Sequence, residues 1–81
     1  MDDVEKRLKA IVADVFKVDQ ARLKGSTRFV EDLHAKSMTM VALVAAIEVE
    51  FGIKTSSRET SQNKTIDQAV AYIKKKLKEK K

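Results

Sequence analysis

Ser37-Met38-Thr39-Met40-Val41-Ala42-Leu43-Val44-Ala45-Ala46-Ile47-Glu48-Val49-Glu50-Phe51-Gly52-Ile53 is the stretch that decides the fold. From Ser37 to Phe51 it contains neither glycine nor proline, and its composition predicts one helix. Ser37 suits the N-cap, where a side-chain oxygen can accept from an early backbone N–H. Gly52 suits the left-handed position past the end, and apolar Ile53 completes the usual helix stop. Met38, Val41, Val44, Ile47 and Phe51 supply a core face. Thr39, Ala42, Ala46 and Val49 fall together on a second face, at spacings of 3, 4 and 3. A helix close to apolar all round is unusual unless both faces are covered some of the time.

Outward from this helix, the chain reads as an all-α domain. Val4, Leu8, Ile11, Val12 and Val15 repeat at helical spacing, and Asp2 with Glu5 offers a capping box, so a helix is expected from about Asp3 to Phe16. The pattern dissolves between Lys17 and Lys36. Gly25, Ser26 and Thr27 give turn chemistry there, and Phe29 and Leu33 are the expected anchors into the core. A connection this long usually has a job. A short helical turn is expected around Ser57 to Gln62. The last helix opens on a second capping box, Thr65 with Gln68, and carries Ile66, Ala69, Val70, Ile73 and Leu77 on one stripe. The sum is a small bundle of three main helices plus one short helix, with a long first loop crossing one end. Residues 1–81 form a single domain, of which 74–81 are a basic helix end.

Eighty-one residues support one modest core and leave little room for a deep pocket. That favours a module on which other proteins act over a self-contained enzyme. The chain has no cysteine, so any thiol chemistry must arrive on a prosthetic group. His34 is the sole histidine and cannot build a metal cluster alone. No apolar run reaches the length of a membrane span, and the expected location is the cytoplasm. The net charge is +5, but Lys74 to Lys81 hold six of the seventeen basic residues and one of the twelve acids. The remainder is therefore balanced at eleven of each, which argues against a nucleic-acid face. Two readings of the tail stand: a solvated helix end, or weak contact with anionic lipid.

Thr27-Arg28-Phe29-Val30-Glu31-Asp32-Leu33, Ser37-Met38, Glu48-Val49-Glu50-Phe51-Gly52-Ile53 and Thr65-Ile66-Asp67-Gln68-Ala69-Val70-Ala71-Tyr72-Ile73 stand in that order. Together they resemble the acyl carrier proteins of fatty acid and polyketide synthesis, over about residues 3–77. The family pattern is a loop with Phe-x-x-Asp-Leu, then Asp-Ser-Leu opening the second helix, then Glu-x-Glu-Phe-Gly-Ile closing it. The resemblance implies that a phosphopantetheinyl transferase attaches 4′-phosphopantetheine from coenzyme A to Ser37. The arm then carries cargo as a thioester to acyl-transfer or synthase enzymes, and the carrier itself catalyses nothing. A phosphodiester at Ser37 would meet free backbone N–H groups and the positive end of the helix dipole. On spacing alone, a serine here is a plain N-cap; the resemblance makes it the attachment site.

The chain departs from the pattern in informative places. Lys36 stands where the family has aspartate. It either neutralises the phosphodiester or weakens recognition by the transferase. The acids that partners usually read on the second helix are replaced by Thr39, Ala42 and Val49, while Glu48 and Glu50 survive. Docking is therefore expected through apolar contact, at Thr39, Met40, Ala42, Ala46 and Val49 with Glu48, in a specialised lipid or secondary-metabolite pathway. Met38 and Met40 flank the site and can line the arm's path, although the core beside the first turn is the expected place for Met38. His34 reads as an ordinary solvated side chain. Ser26, Ser56, Ser57 and Ser61 are competing hydroxyls without the same helix context. Fatty acyl, polyketide and aminoacyl cargo all remain open, the last because Ser-Met also occurs in D-alanyl carriers. Two other readings are an unmodified interaction module docking through the second helix, and a lipid-surface protein acting through the tail. A monomer is the simplest state.

Overall fold

The computed structural model describes residues 3–80. They form α1 (Asp3–Phe16), a 3-10 turn (Gln20–Arg22), α2 (Ser37–Phe51), α3 (Ser57–Thr60) and α4 (Ile66–Lys80). The described residues hold no strand beyond one isolated bridge between Arg28 and Thr65. α1 and α2 begin and end where the pattern placed them. α3 stops at Thr60, short of Gln62, and the 3-10 turn was invisible to periodicity. The proposed Asp2–Glu5 box lies outside the described residues.

Arg7, near the start of α1, meets Glu50 and Phe51 at the end of α2, so these helices run antiparallel. Its Nε donates to Glu50 Oε2 and its Nη2 to the Glu50 carbonyl, both at 2.7 Å, with the guanidinium 4.6 Å above the Phe51 ring. A cation there answers the negative end of the α2 dipole. The core between the helices is Leu8 and Val12 of α1, Leu43 and Ile47 of α2, and Ile66 and Ile73 of α4. Phe29 plugs it from the long loop, 1% exposed, and stacks on Phe16 with centroids 6.2 Å apart. Gly52 holds the left-handed conformation (φ 64°) that ends α2, and Ile53 is buried beyond it.

The core face of α2 is the expected one at Val44, Ile47 and Phe51, but it is rotated so that Leu43 joins it and Met38 and Val41 leave it. Met38 is 86% exposed and Val41 58%, whereas Leu43, Val44, Ile47 and Phe51 are buried and Met40 packs against them. The reason is that α2 is apolar on every side. Periodicity then cannot choose the rotation, which α1 and α3 fix instead.

The long loop is tied to the start of α4. Phe29 N donates to the Lys64 carbonyl, and Ile66 N and Asp67 N donate to the carbonyls of Thr27 and Gly25, at 2.8–3.1 Å. Gly25 leaves room for this approach: a Cβ there would touch the Asp67 carboxylate, which would have to swing aside. The Thr65 hydroxyl accepts from Gln68 N at 3.2 Å, as a capping box requires. The return bond is displaced by one residue, with Gln68 Oε1 accepting from Lys64 N at 2.6 Å.

On the far side, Tyr72 donates its hydroxyl to the Glu59 carboxylate and lies 2.6 Å from Thr55 Oγ1, which in turn lies 3.3 Å from buried Thr60 Oγ1. Because Tyr72 gives its one proton to Glu59, the chain of donors runs Thr60 to Thr55 to Tyr72 to Glu59. The Tyr72 bond, followed by the charge of Lys76, holds the Glu59 carboxyl below its ordinary range. Asp32 is lowered too, first by the Arg28 backbone N–H and then by its guanidinium. A carboxyl with a lowered folded pKa adds stability above its unfolded pKa, and that increment is lost as pH falls through the folded value. Thermal melts should therefore fall on the acid side of the carboxylate range, and less steeply in Tyr72→Phe. Equal acid slopes in the two proteins would disprove the contribution of this network.

Candidate functional site

The approach to α2 is built by a clasp in the long loop. Asp32 Oδ2 accepts from Arg28 N at 2.8 Å, and the Arg28 carbonyl accepts from the backbone N–H groups of Asp32 and Leu33 at 3.0 and 3.2 Å. His34 N donates to the Val30 carbonyl at 3.0 Å, and Ala35 N to that of Phe29 at 2.9 Å. His34 takes the left-handed conformation (φ 58°), which turns the chain so that Ala35 and Lys36 run into α2. The contribution of His34 is thus its backbone. Burial of Phe29 and the Asp32 clasp together set where Ser37 stands.

Ser37 is not the N-cap. Lys36 is extended (φ −124°, ψ 172°) and its carbonyl accepts from Met40 N at 2.8 Å, so the first helical bond closes on Lys36. Ser37 is the first helical residue and is exposed. The Lys36 side chain caps nothing. Among the described residues, the N–H groups of Ser37, Met38 and Thr39 have no acceptor, and neither does the Ser37 hydroxyl have a partner. The start of α4 is sealed in contrast, its first donors being bonded to Gly25, Thr27 and Thr65.

A groove of about 590 Å³ opens beside Ser37, walled by Lys36, Met40, Val41, Ser57 and Arg58. A smaller recess of about 370 Å³ shares Met40 and Ser61 with it and reaches Phe29, Val30 and Asn63, whose Nδ2 is buried without a partner. A larger recess, about 790 Å³ between α1 and the 3-10 turn, lies elsewhere, and two of its charges, Glu5 and Lys9, pair at 2.8 Å. Two of the four competing serines serve the backbone: Ser56 Oγ accepts from Glu59 N at 3.2 Å, and Ser61 Oγ donates to the Arg58 carbonyl at 2.9 Å.

A family model described as the phosphopantetheine attachment site matches residues 6–73. The chain belongs to that family. Its carrier domains bear 4′-phosphopantetheine covalently on a serine, are not themselves catalysts, and generally meet phosphopantetheinyl transferases and acyl-transfer enzymes. The protein is therefore a phosphopantetheine-carrying carrier protein. When attached, the arm supplies a thiol, which this cysteine-free chain lacks. The residues present fit such a group, because an exposed free hydroxyl, unsatisfied N–H donors, two cations and an open groove converge at one helix start.

Of the residues expected around a family docking face, Ala42 and Val49 are exposed, while Thr39, Met40 and Ala46 are half-buried. Met38 stands free beside Ser37 and does not fill the core. Glu48 Oε2 accepts from Thr55 N at 2.9 Å, and Glu50 is held by Arg7. Both acids of α2 thus support the fold. Sequence reasoning missed Arg58, which reaches the groove from a four-residue helix, and Ala45, which joins the exposed face. It also missed the clasp of Asp32, although the Arg28–Asp32 spacing suited a local ion pair. No helix among the described residues is long and apolar enough to cross a membrane. The lysine-rich end of α4 lies at the opposite pole from Ser37, with Lys76 lining a recess beside Gly52 and Lys54.

Proposed function

We propose that Ser37 is the serine that bears the arm, and that the protein carries acyl or related intermediates as thioesters for a specialised lipid or secondary-metabolite pathway. The observation that carries this reading is the free hydroxyl of Ser37 at the open start of α2. Ser37 Oγ would lose its proton and form the new bond to phosphorus as the pyrophosphate P–O bond of coenzyme A breaks and adenosine 3′,5′-bisphosphate leaves. The N–H groups of Ser37, Met38 and Thr39 face the added charge, and Lys36 and Arg58 flank it from the groove. Met40 and Val41 offer the arm an apolar wall along the same groove. The specialised pathway is supported by α2, whose acids are engaged internally and whose outward face is apolar.

Thiol titration tests this directly, because the unmodified chain has no cysteine. After incubation with coenzyme A and a broad-specificity transferase, then removal of small molecules, one thiol per chain is expected where none existed. No thiol with any of several transferases would overturn the reading. It would favour a second one, which the exposed apolar face of α2 supports: an unmodified module that docks partners through that helix.

A further inference from the structure

Met38, Ala42, Ala45 and Val49 repeat at spacings of 4, 3 and 4 and are all exposed, Met38 and Val49 to 86%. Val41, 58% exposed, widens this stripe toward α3. A seam of alternating three- and four-residue spacing matches one facing helix, and its two alanines permit close approach. The stripe carries no charge of its own.

Its border on the α3 side is cationic. The groove there is bounded by Val41 and Met40 of α2 and by Ser57 and Arg58 of α3, with Lys36 at its head. The charged residues lining it are Lys36 and Arg58, both exposed and neither in an ion pair among the described residues. The nearest α2 acids are withdrawn, Glu48 toward Thr55 and Glu50 toward Arg7. A partner that covers the stripe must bring its own groups against Lys36 and Arg58, and like charges there are costly.

We infer that the partner surface for α2 is an amphipathic helix with an apolar seam and acidic residues along the flank that faces α3. This rests on reading α2 as the docking face and names the chemistry that face selects. A membrane is the poorer match, because the stripe has no aromatic or leucine side chain to bury among acyl chains.

The test needs no prosthetic group. Two synthetic helical peptides with the same leucine–alanine seam, one flanked by glutamate and the other by lysine, are titrated into the isotope-labelled full chain. Amide shifts are followed by NMR. The glutamate peptide should perturb Met38, Val41, Ala42, Ala45 and Val49 and bind at least about tenfold tighter at low salt. Added salt should shrink the difference, and a Lys36→Glu/Arg58→Glu variant with unchanged amide dispersion should reverse the preference. Equal affinities, preference for the lysine peptide, shifts away from α2, or no binding by either peptide would overturn the inference. So would the same shifts appearing only with phosphatidylglycerol vesicles. Failure here leaves loading at Ser37 untouched, and failure of loading leaves this result standing, so the two are separable.

Discussion

Replacing Phe29 with alanine should remove a large share of the protein's stability. Its side chain is 1% exposed and is the plug by which the long loop joins the core. Deleting a buried phenylalanine costs about 3–5 kcal/mol, in lost transfer energy and in the cavity left behind. A domain of this size has a total stability of only about 4–12 kcal/mol. The loss also removes the stack on Phe16 and loosens the bonds from Phe29 to Lys64 and Ala35 that carry the chain toward α2. Urea unfolding followed by circular dichroism would read this as a large fall in midpoint. Leu33→Ala serves as an internal comparison, because that side chain is only half-buried and should cost less. A Phe29→Ala protein as stable as its parent would contradict the anchoring role.

Ser37→Ala should have the opposite profile, abolishing attachment of the arm while leaving the fold intact. Were Ser37 the N-cap, alanine would remove a capping bond and cost about 1 kcal/mol. Lys36 holds the cap position, however, and the Ser37 hydroxyl bonds to nothing among the described residues, so the change should stay within about 0.5 kcal/mol. Urea midpoints of the two unmodified proteins measure this. A fall of 1 kcal/mol or more would mean that the hydroxyl supports the helix start after all.

Much of the fold was legible because its signals are local. The stripes of α1 and α4 each have one apolar side, Gly52 is where a left-handed stop was required, and Phe29 lies in the core as its place in a polar loop suggested. The rotation of α2 was illegible for a physical reason. Apolar side chains surround that helix, so only contact with α1 and α3 decides that Leu43 and Val44 face inward while Met38 and Val41 do not. The 3-10 turn was missed because Asp19 caps it through a single bond from Ala21 N at 3.0 Å, a signal shared by many turns.

The site was legible as a position and less so as a geometry. The order of motifs singled out Ser37, but one residue of helix register separates a cap from a first helical residue, and that depends on the extended backbone of Lys36. The fates of Glu48 and Glu50 depend on Thr55 and Arg7, partners 7 and 43 residues away. Arg58 and Lys36 meet across one groove through tertiary packing alone.

The central claim is that Ser37 bears the arm, and peptide mapping of the loaded protein by mass spectrometry tests it most directly. Trypsin cleaves after Lys36 and Lys54, so Ser37 becomes the first residue of its own peptide, with Ser26, Ser56 and Ser57, and Ser61 in three others. One phosphopantetheine on the peptide of residues 37–54, absent from Ser37→Ala, is the predicted result. A gain on any other peptide, or one that survives in Ser37→Ala, would contradict the account.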